Sequence, residues 1–347
     1  MLATTMHAAR IHEYGAPLRL DEVAVPRPGA GQVLVRVEGA GFCHSDLHII
    51  TGEIKILPRL PLILGHENAG RVAAVGAGVR AVKEGDAVAV YGGWGCGYCD
   101  YCVMGEENCC ATMQWVGLSD FDGGYAEYLL VPEERYLVKL ARLSPRDAAP
   151  LTDAALTPYR AIKRALPAMT ADYPALVIGA GGLGQFGIEL IRLMTPCEVI
   201  VVDVADDKLA HARTLGAHHV INSKSTDALE AVRKIAPGGV AAAFDFVGAD
   251  ATLALAASAT RKLGRVVQIG LAGGTAHLKA LSTSWESEVQ FSFSLWGNIK
   301  ELREVLFMAD AGHLRLIPTE FHPLDAINEV SRRLQHGEVR GRAVITP

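Results

Sequence analysis

No stretch of the 347 residues stays apolar for the roughly 18–20 positions that a membrane span needs, which argues against an integral helical membrane protein. Positive charge is not in excess either: 33 Lys and Arg stand against 38 Asp and Glu, a net charge of −5. A general nucleic-acid or anionic-membrane binder would carry a basic excess or patch, so neither is expected as a partner. The run from Met1 to Tyr14 lacks the unbroken apolar core of a secretory signal, because His7, Arg10, His12 and Glu13 interrupt it. A cytoplasmic, reducing compartment is therefore expected. There is no internal repeat, low-complexity segment or long run of charge.

What is present is ordinary for a globular chain, half hydrophobic and a fifth charged, with glycine in mild excess at 36 residues. At about 100–200 residues per domain the length predicts two domains. A chain this long buries a large core without covalent staples, so its seven cysteines are not needed to hold a small fold together. In a reducing compartment clustered cysteines are more often metal ligands or catalytic groups than disulfides.

Two textures follow one another along the chain. The first ~150 residues read as short strands broken by Gly and Pro, such as 32–38, 70–75, 86–91 and 125–131, the pattern of a barrel-like or sandwich-like β region. An Ala-rich, helix-compatible stretch spans 147–166. From Pro174 strands alternate with helices: strands at 175–178, 199–204, 220–222, 241–247 and 265–270, helices at 184–194, 207–215, 226–235 and 251–261. Continuous Val/Ile runs such as Val199–Val204 mark strands of a parallel sheet covered on both faces. Helices at 300–311 and 324–335 and a strand at 342–346 follow.

Gly179-Ala-Gly181-Gly182-Leu183-Gly184 fits G-x-G-x-x-G, a weak signal alone. Here a strand precedes it, a helix opens from it, and Asp203 ends the next strand 19 residues after Gly184. Glycines at such a loop let backbone approach a pyrophosphate, and the helix N-terminus stabilises the phosphate charge. An acid at Asp203 accepts hydrogen bonds from ribose hydroxyls and repels a 2′-phosphate, which favours NAD(H) over NADP(H).

Cys96, Cys99 and Cys102 are spaced C-x2-C-x2-C, and Cys110 follows after seven more residues. Four thiolates in a Gly-rich loop suit a closed tetrahedral zinc site with a structural role. Disulfides, an iron–sulfur cluster and a zinc-ribbon nucleic-acid module are the alternatives, the last disfavoured by a loop with no Lys or Arg. Cys109 reads as a bystander and Cys197 as core. A second dense constellation, Cys43-His44-Ser45-Asp46-Leu47-His48, has Gly65-His66-Glu67 downstream.

With these residues, Pro150-Leu-Thr-Asp153-Ala and Val339-Arg340-Gly341, the whole chain resembles a zinc-dependent alcohol dehydrogenase of the medium-chain dehydrogenase/reductase superfamily. Its texture is similar to bacterial and archaeal NAD-dependent secondary or broad-range enzymes. The resemblance implies an α/β fold, a doubly wound Rossmann sheet inserted in a β-rich GroES-like catalytic domain. The catalytic domain would span 1–152 and 297–347, with a zinc lobe at 94–112, and the dinucleotide domain 153–296. It implies Cys43, His66 and Asp153 as ligands of a catalytic zinc, with Asp46 and Glu67 behind them. Ser45 and His48 would form a proton relay; His44 and Arg340 would meet the cofactor pyrophosphate. Trp115, Leu295 and Trp296 would wall a substrate pocket suited to medium-chain, cyclic or aromatic secondary alcohols. It further implies two zinc ions per chain, NAD(H), a small alcohol or ketone substrate, and a homodimer or homotetramer. The rival expectations are a polyol or sugar dehydrogenase on the same scaffold, a zinc-free enoyl or quinone reductase, and a non-catalytic zinc- and nucleotide-binding protein.

Overall fold

The computed structural model describes residues 3–277 and 287–347. The chain divides into two compact units, one of residues 1–153, 297–312 and 316–347, the other of residues 154–296 and 313–315.

The first unit is mostly antiparallel sheet. Strands β1 (Thr5–Ile11), β2 (Arg19–Ala24) and β3 (Val33–Phe42) precede helix α1 (His44–Thr51). Then come β4 (Leu62–Ile63), β5 (Glu67–Val75), β6 (Ala87–Val90), β7 (Gly93–Trp94), the short helix α2 (Asp100–Val103), β8 (Gln114–Trp115), β9 (Tyr128–Val131) and β10 (Leu137–Lys139). Helix α3 (Pro145–Ala148) leads into a tight 3-10 turn at Ala149–Thr152, after which the chain enters the second unit.

That second unit opens with helix α4 (Leu156–Ala165) and continues as β11 (Ala175–Ile178), α5 (Gly182–Met194), β12 (Val199–Asp203), α6 (Asp206–Thr214) and β13 (His219–Asn222). Next are α7 (Ala228–Ile235), β14 (Val240–Asp245), α8 (Asp250–Ala259), β15 (Thr260–Gln268) and β16 (Gln290–Phe293). The first unit resumes with α9 (Ile299–Asp310), β17 (Thr319–Pro323), α10 (Ile327–Gln335) and β18 (Arg342–Thr346).

The long strand β3 is the hub of the first unit. The main sheet runs β10-β6-β5-β3-β18-β17, with β9 also paired to β3, and β2-β1-β4 form a smaller sheet. The β3–β5 ladder ends at the pair Gly41 and Glu67. That register sets Cys43, just past β3, beside His66, just before β5. Helix α1 then starts at once because the Asp46 carboxylate reaches back and accepts the Cys43 N–H at 3.1 Å, the return bond of a capping box. Gly52, in the left-handed conformation, ends the helix after eight residues.

The second unit is a six-stranded sheet in the order β13-β12-β11-β14-β15-β16, every pair of it parallel. Strand order reverses between β11 and β14, the switch point at which doubly wound sheets bind ligands. Strands β11, β12 and β14 are buried along their whole length, as expected of apolar strands covered on both faces. Each Val, Ile or Leu enclosed there contributes about 1.5–3 kcal/mol of transfer free energy. Both parts of the expected α/β fold, a Rossmann sheet and a GroES-like β domain that resumes after it in the chain, are seen.

Local boundaries differ from the sequence reading. Helix α8 stops at Ala259, two residues early, because Thr260 already begins β15. Helix α5 starts at Gly182, inside the glycine motif, with Gly181 as its N-cap. Helix α1 has no strong amphipathic period and was not expected; tertiary burial of Leu47, Ile49 and Ile50 makes it.

Candidate active site and metal centres

The lobe after β7 folds around its cysteines. Cys96 and Cys102 Sγ lie 4.0 Å apart, and Cys99 and Cys110 Sγ 3.8 Å apart. The Cys96 N–H donates to Cys110 Sγ and the Cys99 N–H to Cys96 Sγ, both at 3.4 Å. Backbone amides aimed at sulfur stabilise thiolates. Gly97 and Gly105 supply left-handed turns within the loop. Two of the thiols differ sharply in acidity: burial and neighbouring cysteines push Cys102 up to about 12. Cys110 sits at about 6, because hydrogen bonds from Thr112 and the Cys96 amide outweigh the upward effect of its burial. Four thiolates repel one another unless a cation sits among them. Tetrahedral Zn–S bonds of about 2.3 Å put sulfurs about 3.8 Å apart, which these distances match. Cys109 is exposed and Cys197 buried; neither belongs to a donor group among the described residues.

The second donor set is buried. Ligand atoms of Cys43, His66, Glu67 and Asp153 all lie within 4.8 Å of one another. Asp153 Oδ2 is 3.7 Å from Cys43 Sγ and 3.6 Å from His66 Nε2. Donors about 2.0–2.3 Å from a tetrahedral zinc sit about 3.3–3.8 Å apart, so one sulfur, one imidazole nitrogen and one carboxylate oxygen here fit that ion. The imidazole is already aimed: His66 Nδ1 lies 3.1 Å from Asp46 Oδ1, which turns Nε2 toward Cys43 and Asp153. Asp153 comes from the end of the turn after α3 and closes the first of the three segments that make up the first unit.

Charge around this set is balanced by a group the sequence did not reveal. Arg342 of β18 is buried against Glu67, donating through Nε to Glu67 Oε2 at 3.0 Å and forming a second contact through its terminal nitrogen. Glu67 is thereby committed to Arg342. Burial works against the Cys43 thiolate, but Arg342 and a hydrogen bond with His66 outweigh it, and the thiol falls below its ordinary value. Burial likewise opposes protonation of His66, but Asp46 and Asp153 overcome it and hold the imidazole well above its usual range.

Tyr125 is the other residue missed. Its hydroxyl donates to Asp46 Oδ2 at 2.8 Å. The available signals were an arginine inside the otherwise apolar strand 342–346 and an aromatic directly after Gly123-Gly124.

The remaining expected site residues fall as follows. Ser45 Oγ is 3.7 Å from Cys43 Sγ. His48, a turn further along α1, is paired through Nδ1 with Glu53 Oε2 at 2.5 Å. His44 and Arg340 are exposed on the first unit, and Trp115 is half-buried in β8 of that unit. Leu295 (exposed) and Trp296 (buried, with φ 48) belong to the second.

In the second unit the glycine motif forms the β11–α5 turn. A Cβ at Gly184 would lie 1.9 Å from the Gly179 carbonyl oxygen, so no other residue fits there. Gly179 has φ 89, a conformation that favours glycine. Asp203 accepts the Ala180 N–H at 2.7 Å through one oxygen and the Val204 and Ala205 N–H groups at 2.7 and 3.0 Å through the other. It therefore ties the glycine loop to the end of β12. Gly181, Gly182 and Leu183 stand at the start of α5, where unpaired N–H groups point outward.

A parallel sheet with this loop, in one chain with a β unit carrying sulfur, nitrogen and carboxylate donors, defines a dinucleotide-dependent, metal-assisted oxidoreductase. Known proteins agree. Residues 29–142 match the alcohol dehydrogenase GroES-like domain, and residues 182–311 match the zinc-binding dehydrogenase domain. An NAD-dependent alcohol dehydrogenase of Saccharolobus solfataricus is 38% identical over 99% of this chain and 100% of its own length. A D-arabinose 1-dehydrogenase (NADP(+)) of the same organism is 36% identical over 98% of this chain and 97% of its own. The crystal structure of an alcohol dehydrogenase from Aeropyrum pernix superposes with a TM-score of 0.92, at 38% identity, covering 98% of this chain and 100% of that one. The chain belongs to the zinc-dependent alcohol dehydrogenase family of the medium-chain dehydrogenase/reductase superfamily.

Proposed function

We propose that this protein catalyses the reversible oxidation of an alcohol to an aldehyde or ketone with NAD. The observation that carries the reading is the convergence of Cys43 Sγ, His66 Nε2 and the Asp153 carboxylate into one buried set. When bound, zinc at these three residues supplies Lewis acidity toward a substrate oxygen, and NAD at the glycine loop takes up hydride. The chain's own residues handle the rest. Asp46 orients His66. Ser45, close to Cys43, takes up the proton of the substrate hydroxyl as it hands its own on toward His48. His48, held by Glu53, is the way out for that proton. Asp203 favours a free ribose over a 2′-phosphate. His44 and Arg340 are assigned to the pyrophosphate.

The four-cysteine lobe takes a second zinc. All four of its donors are protein sulfurs, so no open position is left for substrate and its role is structural. In this reading the catalytic domain comprises 1–152 and 297–347 and the cofactor domain 153–296. The protein acts as a homodimer or homotetramer in a reducing cytoplasm, where its seven cysteines stay out of disulfides. Medium-chain, cyclic or aromatic secondary alcohols are the preferred substrates.

The D-arabinose dehydrogenase relative supports a second reading, oxidation of a sugar on the same scaffold. A panel of cyclohexanol, 1-phenylethanol, 2-butanol and ethanol against arabinose and sorbitol, followed as NADH formation, tests both. Faster turnover of the cyclic and aromatic alcohols is expected. Preference for arabinose would replace the first reading with the second, and no turnover of any alcohol or sugar would sink both.

A further inference from the structure

Tyr125 is fully buried, and its hydroxyl bonds the carboxylate that faces His66 rather than a metal-donor atom. We propose that Tyr125 is a positioning residue for the catalytic metal: its hydroxyl holds Asp46, and through Asp46 it holds His66 and Cys43 in their binding arrangement. The inference rests on the reading of Cys43, His66 and Asp153 as zinc ligands.

Asp46 is the hub, and it is fully buried. Its Oδ1 faces His66 Nδ1 at 3.1 Å. Its Oδ2 accepts the Cys43 N–H at 3.1 Å and the Tyr125 O–H at 2.8 Å. One carboxylate therefore gathers donors from α1, from the start of β5 and from the segment before β9. The Tyr125 oxygen is also 3.2 Å from the Gly41 carbonyl oxygen. A phenol has one proton, and the shorter, charged acceptor takes it. Turned toward Gly41, the phenol would leave its lone pairs facing Asp46 Oδ2 with no proton between them.

The ring has no room to swing away. It stacks on Phe42, with centroids 5.4 Å apart and planes 13° from parallel. On its other side lies Gly65, the residue directly before His66. A Cβ on Gly65 would come within 2.8 Å of the Tyr125 ring, and Gly65 has φ 99. The left-handed glycine thus leaves the space the ring fills. A buried tyrosine serving packing alone would need only one polar partner; this one bonds the carboxylate that aims a ligand. Carboxylate partners of metal-bound histidines are worth about 10–100-fold in metal affinity, and a group one bond further out belongs at the low end of that range.

Tyr125→Phe removes the hydroxyl alone. The zinc-loaded protein is mixed with excess colorimetric zinc chelator and release is followed in time. Wild type is expected to show two phases, and Asp153→Ala, lacking one of them, assigns that phase to the Cys43 site. Tyr125→Phe is expected to speed that phase about tenfold. The lobe phase should stay unchanged, and loss of one buried bond to a carboxylate should lower the thermal midpoint by only a few degrees, on the order of 5 °C. A lowered midpoint with both release rates unchanged would overturn the proposal and leave Tyr125 a packing residue. A wild-type protein with no phase sensitive to Asp153→Ala would overturn the ligand assignment as well, which separates the two failures. If Tyr125→Phe does not fold, 3-fluorotyrosine at position 125 keeps the ring and strengthens the O–H as a donor. Slower release from the Cys43 site then supports the proposal, and equal or faster release overturns it.

Discussion

The lobe thiols come from fifteen consecutive residues, Cys96–Cys110, and most of them are partly exposed. Cys43 and Asp153 are 110 residues apart, and with His66 they are buried on the ends of β3 and β5 and the turn after α3. The lobe has one donor chemistry and little behind it except loop amides. The buried set has three donor chemistries and a layer of further residues around it: Asp46 holds His66, Tyr125 holds Asp46, and Arg342 balances the charge of Glu67. The difference is one of what does the holding. On the proposed reading, metal in the lobe is part of the local fold, because four like-charged thiolates need a cation among them. Around Cys43 the sheet and its hydrogen bonds place the donors, and on the same reading metal is needed there for chemistry rather than shape.

That contrast is open to direct tests. Asp153→Ala should lower turnover by at least about a thousandfold, the several kcal/mol of charge stabilisation that a metal supplies. Its thermal midpoint should stay close to wild type, and a large fall would mean that metal also shapes the buried set. Cys99→Ser should do the reverse. The expected loss is one zinc and about 5–10 °C of thermal midpoint, with turnover retained by the folded fraction. An unchanged midpoint would show that the lobe does not need its ion. The hydroxyl deletion at Tyr125 falls between these, affecting zinc release at one site only. The smallest change is expected from Cys109→Ala: the residue is exposed and outside the donor group. Zinc content should be unaltered and stability within about 0.5 kcal/mol of wild type. A lost zinc would bring Cys109 into the lobe.

The same contrast explains what was legible in the sequence. Local spacing encodes Cys96, Cys99, Cys102 and Cys110, and the strand–turn–helix context encodes Gly179–Gly184, because each cluster lies within a single loop. Cys43, His66 and Asp153 have no spacing rule of their own. Only the family resemblance joined them, and strand register brings them together. Arg342 and Tyr125 fell outside both routes. Their partners, Glu67 and Asp46, lie 275 and 79 residues away. Asp203 was expected for its ribose chemistry, but its bonds to the Ala180, Val204 and Ala205 amides depend on how the β12 end meets the glycine loop.

Strand β18 pairs with β3 from Ala343–Ile345 to Ala40–Phe42, and Arg342 at its start neutralises Glu67. A ribosome delivers the chain N-terminus first, so the whole second unit emerges between these partners. Until then β3 has an open edge and Glu67 is an uncompensated acid in what will become the interior. The nascent first unit can therefore form its lobe early, while the Cys43 pocket has to wait for residues translated after the nucleotide-binding sheet.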